Sequence, residues 1–253
     1  MAPHTDCPPP DRESCATAIR HHLATARTLR QTVALDPAAQ AARCALRAWQ
    51  AGRLSQTHAD LLNSPRCGNA ARFFLTDLYG PKDFSERDNE VERILPLLCT
   101  LLPPSGLEAI ALAIEVDALT ERLDAALINA LKDQTLDART YAFAYRTSSL
   151  RAERERQLDL IGRTGQTLRR VAGTPFIGAL LRMMRGPAHA AGLGELQAFL
   201  ERGLAAFRAM GPEAEQFLAT IKHRESALIE RIYRGDTDPF VAPFAATFAE
   251  PFA

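Results

Sequence analysis

Apolar side chains recur every three to four positions through nearly the whole chain, and no segment sustains the apolar–polar alternation that would mark a strand between hairpin turns. The pattern predicts an all-α protein, an irregular bundle of about nine to ten helices. A first helix is expected over Cys15 to Val33. Asp36 before Pro37 then offers a cap for a second helix running to about Leu62, with Trp49 as a core anchor beside Leu46, Leu54 and Leu61. Ser105 with Glu108 reads as a capping box that opens a long helix reaching Lys132. Leu107, Ile110, Ile114, Leu123, Leu127, Ile128 and Leu131 point almost all round its axis, which places it in the middle of the bundle.

Punctuation divides the remainder. A short helix follows Asp137, and the next begins with interleaved arginine and glutamate, a solvated face, before ending at Gly173. Thr174 with Pro175 starts another helix, Gly186–Pro187 is read as a stop and restart, and Gly211–Pro212 as a further break before a last helix to Arg234. Residues 1–13, proline-rich and poor in apolar groups, are expected to be disordered. Residues 14–235 then form one helical domain and 236–253 a Pro/Phe-rich tail. In that tail Phe240, Phe244, Phe248 and Phe252 recur every four residues, fit either to lie in grooves of their own domain or to dock another chain.

The densest chemistry lies in Arg72 to Arg93, RFFLTDLYGPKDFSERDNEVER. Phe73 and Phe74 open a short helix that Gly80 and Pro81 stop, and Ser85 begins the next. The corner gathers Tyr79, Asp83, Arg87 and Asp88, which could position a substrate or simply fix the turn through an Asp83–Arg87 ion pair. FFLTDLYGPKDFSERD, with LLRMMRGPAHAAGLGELQAFLERGLAAF further on, resembles an uncharacterised family of bacterial all-helical proteins over about Arg47 to Phe240. The resemblance implies no activity and no catalytic residues.

Composition narrows the function classes. Thirty basic and thirty acidic residues cancel, which argues against nucleic acid as a partner. Five cysteines without a CxxC pair read as reduced, buried thiols in a cytoplasmic protein. The longest uncharged run, Ile94 to Leu107, is proline-broken and far short of the roughly 20 apolar residues that span a bilayer.

Two charged groups carry the candidate chemistry. Asp117, Glu121 and Asp124 fall at i, i+4 and i+7 on one flank of the central helix, where carboxylates need arginines, a metal or water. Residues 160–194 hold Arg163, Arg169, Arg170, Arg182 and Arg185, no acid, and seven of the chain's 14 glycines. These arginines could neutralise the acidic stripe, frame a pocket for an anionic or acyl ligand with Arg182 and Arg185, or meet an anionic membrane surface. No histidine has metal-ligand spacing and no GxSxG, P-loop, Rossmann or HExxH pattern occurs, so no metal, cofactor or catalytic residue is assigned. The expectation is a binding or regulatory protein acting on an unknown protein partner, on itself or on a small anionic molecule. The alternatives are an enzyme or carrier with an interhelical pocket, and a peripheral membrane protein.

Overall fold

The computed structural model describes residues 11–78, 85–132 and 134–240. Among them every regular element is helical. The order is α1 (Arg12–Ala34), α2 (Pro37–Thr57), α3 (Ala59–Asn63), α4 (Gly68–Phe73), a π-helical turn (Phe74–Leu78), α5 (Ser85–Leu101), α6 (Pro104–Leu131), α7 (Ala138–Ser148), α8 (Arg151–Ala172), α9 (Pro175–Ala190), α10 (Gly194–Met210), a 3₁₀ turn (Gly211–Glu213) and α11 (Ala214–Arg234).

The first two helices start where short acids can take their free N–H groups. Asp11 accepts from the Ser14 backbone at 2.7 Å, which extends α1 into the stretch expected to be disordered. Asp36 accepts from Ala38 at 2.9 Å with Pro37 in the first turn. At α6 the expected capping box is absent. The helix starts one residue earlier, with Pro104 in its first turn, so Ser105 is already helical and Glu108 pairs with Arg170 of α8 at 3.2 Å. Gly186–Pro187 does not break the chain either. Pro187 sits inside α9 on an exposed side, where water can satisfy the carbonyl it frees. The second helix ends at Thr57, and His58 separates it from α3.

α6 lies at the centre as its apolar distribution predicts, packed by α1, α2, α7 and α8. Leu107, Leu123 and Leu127 are at most 1% exposed, each worth roughly 1.5–3 kcal/mol of burial. One core cluster joins Ile19 and Leu23 of α1 to Leu95 of α5 and Leu107 of α6. A second joins Phe73 and Phe74 to Phe207, Met210 and Phe217 of α10 and α11. A third sets Leu46 of α2 against Leu127, Leu131 and Tyr141. No helix among the described residues is long and apolar enough to cross a membrane.

Candidate functional site

The acids of α6 do find arginines, but from the other side of the bundle. Arg30 of α1 donates Nε to Glu121 Oε1 at 2.8 Å and reaches Asp88 and Asp117 with its two terminal nitrogens. From α2, Arg43 grips Glu121 at 2.5 and 3.0 Å, and Arg47 lies 2.8 Å from Glu121 and 3.4 Å from Asp124. Burial alone would raise the Glu121 pKa; the Arg43 hydrogen bonds and the charges of Arg47 and Arg30 outweigh it and hold the carboxyl at about 2. Asp124 goes the other way: desolvation dominates and its pKa is raised despite Arg47 and Gln50.

Arg182 and Arg185 are not part of this arrangement. Both are exposed on α9, and Arg185 pairs with Glu201 of α10 at 2.7 Å. The arginines of the basic segment therefore do not meet the acidic stripe, although Ile161 and Gly162 of that segment line a cavity that Asp124 also lines. At the corner, Asp88 is buried against Arg30, whereas Tyr79, Asp83 and the side chain of Arg87 lie outside the described residues. Phe240 is half-buried, its ring centroid 5.6 Å from that of Trp49 and 5.9 Å from that of Tyr141; Phe244, Phe248 and Phe252 also lie outside the described residues. Of the thiols, Cys15 and Cys67 are buried and both are pushed up by desolvation, Cys99 is half-buried, and Cys44, expected inside, is exposed.

Beside the arginine cluster, a cavity of about 140 Å³ opens between α2, the π-helical turn, α6, α7, α8 and α11. Leu54, Leu61, Phe74, Leu158, Phe217 and Leu218 give it apolar walls. Its polar wall is a set of buried and half-buried side chains. Arg53 of α2 and Glu225 of α11 form a two-pronged pair at 2.6 and 2.7 Å, and His58 Nε2 adds a contact to Glu225 at 3.0 Å. Burial would raise the Glu225 pKa, but Arg53 and His58 bring it to about 2. Gln50 donates to Asp124 at 3.1 Å and to the Tyr141 hydroxyl at 3.5 Å. Arg154 of α8 is 2% exposed; its Nε donates to Ser149 Oγ at 2.9 Å and its guanidinium carbon lies 4.0 Å from the centroid of the Tyr145 ring. Four buried atoms on these lining side chains, Arg53 Nε, His58 Nδ1, Asp124 Oδ2 and Arg154 Nη2, have no hydrogen-bond partner in the protein. Among the described residues, no group of three or more His, Cys, Asp or Glu side chains is placed to hold a metal ion.

Of the residues proposed from sequence, Asp117, Glu121, Asp124 and Asp88 converge, and among the described ones only Asp124 lines the cavity. Arg30, Arg43, Arg47, Arg53, His58, Arg154 and Glu225 were not singled out from the sequence. A signal existed on α2, where Arg43, Leu46, Arg47 and Gln50 share one helical face. On α8, Arg154 precedes Leu158 and Ile161 by one and two turns, an arginine within an apolar stripe. The charged run around it masked that placement: Arg151, Glu155 and Arg156 are exposed, as expected, while Arg154 turns inward.

Fold and site thus define an all-α bundle with an interhelical cavity and a buried arginine–carboxylate cluster. The family model of a domain of unknown function, DUF8198, matches residues 29–239, and the chain belongs to that family. Comparison with curated proteins and with solved structures returns no match.

Proposed function

We propose that this protein binds a small molecule in the cavity walled by α2, α6, α7, α8 and α11, as a carrier or sensor. The observation that carries this reading is the coincidence of empty volume with unpartnered buried polar atoms. Protein interiors are packed like organic crystals, with few voids larger than a water molecule. At roughly 24 cal/mol per Å³, a void of about 140 Å³ costs on the order of 3 kcal/mol. Each unsatisfied buried polar atom adds about 1–3 kcal/mol. A ligand that fills the space and meets those atoms recovers both terms. The size suits a small organic molecule, since an apolar cavity of roughly 150 Å³ holds benzene. Free thiols at Cys15, Cys44, Cys67 and Cys99 fit a reducing, cytoplasmic setting.

One observation favours an enzymatic variant of the same reading. Asp124 combines a raised pKa with a cavity-lining side chain whose Oδ2 accepts no hydrogen bond and has only the 3.4 Å ion pair with Arg47 Nε, the environment of a general acid or base.

The test uses Gly162, a lining residue with no atom within 4 Å of where a Cβ would stand. Gly162→Leu should fill the cavity without a clash. A fragment screen read by thermal shift should give saturable stabilisation of the wild type that Gly162→Leu abolishes, and native mass spectrometry of protein from its source should show a bound small mass. A wild type that is empty in both measurements refutes the reading.

A further inference from the structure

Resting on that reading, we infer that the ligand is a small monocarboxylate with an apolar body, and that Arg154 anchors its carboxylate. A guanidinium stays protonated in proteins, so the buried Arg154 side chain is a permanent cation. The other arginines of this interior have carboxylates: Arg30, Arg43 and Arg47 share Asp88, Asp117, Glu121 and Asp124, and Arg53 has Glu225. Arg154 has only a serine hydroxyl and the Tyr145 ring. Asp124 acts on Arg154 through space, but no described carboxylate forms an ion pair with it, and a buried charge without a direct partner is expensive to keep.

Geometry then says where the counter-charge belongs. Ser149 holds the Nε side of the guanidinium and Tyr145 lies against it, so the group is fixed from two directions. The terminal nitrogen Nη2 is buried and has no hydrogen-bond partner in the protein, on a residue that lines the cavity. Tyr141 and Tyr145 also line the cavity, and desolvation raises both phenol pKa values, so both hydroxyls stay protonated and able to donate to an anion.

The acids in the wall set the ligand's charge. Five arginines, Arg30, Arg43, Arg47, Arg53 and Arg154, stand against five carboxylates, Asp88, Asp117, Glu121, Asp124 and Glu225. Two of those acids line the same space, so Arg154 can hold at most a single negative charge there and a phosphate dianion would meet repulsion. Phe74, Phe217 and Leu218 in the lining call for an apolar body, and about 140 Å³ limits it to roughly the size of an aromatic ring.

Benzoate, benzamide and phenyl phosphate are suitable probes, titrated calorimetrically into the full-length protein. Wild type should bind benzoate at least about tenfold more tightly than benzamide, the margin expected of a charge-assisted hydrogen bond, and phenyl phosphate more weakly than benzoate. Arg154→Met, which keeps the stem and removes the unpaired charge, should erase the preference for benzoate while still binding benzamide. Arg154→Lys, which retains a charge but not the fork, should keep part of it and serves if the methionine variant does not fold. Equal binding of benzoate and benzamide by wild type, or a benzoate preference that survives in Arg154→Met, overturns the carboxylate assignment and leaves the cavity reading standing. If no probe binds wild type and the fragment screen is also silent, both fall together.

Discussion

Arg30 of α1 donates to Glu121 of α6 at 2.8 Å, across 91 residues of chain, and the same carboxylate also takes Arg43 and Arg47 of α2. One side chain therefore ties both N-terminal helices to the central one. Removing one partner of a buried pair leaves the others uncompensated, which typically costs about 3–5 kcal/mol. Glu121→Gln should lower the unfolding free energy, read by urea denaturation, by an amount in that range. The exposed pair of Arg27 and Glu92 offers the contrast: Arg27→Ala should cost less than about 1 kcal/mol.

Acid should dismantle this interior in a defined window. Glu121 and Glu225 both have folded pKa values of about 2 against an ordinary 4.5, so the folded state binds fewer protons than the unfolded chain. Their contribution is fully present above about pH 4.5 and is lost as pH falls toward 2. Asp124, raised above its ordinary 3.8, acts with opposite sign: its contribution weakens as pH rises through and above that value. Circular dichroism followed from pH 7 to pH 2 should show unfolding between about pH 4.5 and 2. Glu225→Gln should be less stable at neutral pH, with a shallower acid limb. Asp124→Asn, which removes a desolvated charge, should cost little at pH 7.

The sequence showed the helices more clearly than the site. α6 was legible because a helix apolar on so many sides has nowhere to sit but the centre, and Gly235, at φ 87°, ends α11 where the apolar period stops. Helix ends were harder, because a proline excluded from a helix interior by its missing N–H is tolerated on a solvated side, as at Pro187. The acidic stripe was visible from its spacing. Its partners were not, because α1 also carries the solvent-facing Arg12 and Arg20 and only the packing of α1 and α2 on α6 selects Arg30, Arg43 and Arg47. Arg154 was hidden for the same reason.

Gly165 tests the contact of α8 with α11. A Cβ there would stand 2.3 Å from Leu218 Cδ2, so the two helices approach as closely as they do because the position has no side chain. Helix propensity favours alanine over glycine by about 1 kcal/mol, yet Gly165→Ala should be destabilising by about 1–3 kcal/mol through overpacking. Adding Leu218→Val should recover part of the loss. Urea denaturation of the two variants reads the difference, and a stabilised Gly165→Ala would mean that Leu218 moves aside freely.

Trp49 is the chain's single tryptophan, and it stacks on Tyr141 with ring centroids 4.1 Å apart while Phe240 meets it edge-on at 5.6 Å. Its emission therefore reports on whether the segment after α11 is seated. That segment is tied down ahead of the ring, since Arg231 reaches the Asp236 carboxylate at 3.3 Å and the Asp238 carbonyl at 2.7 Å. Phe240→Ala should shift Trp49 emission to the red and raise its quenching by acrylamide, at a stability cost of about 1–2 kcal/mol. That is less than the roughly 3–5 kcal/mol of a fully buried phenylalanine, because the ring is only half-buried. Arg231→Ala should give the same spectral change in weaker form by loosening the tether. Because Tyr141 touches both Phe240 and the cavity, a ligand bound there should protect Trp49 from acrylamide in wild type and less so in Phe240→Ala.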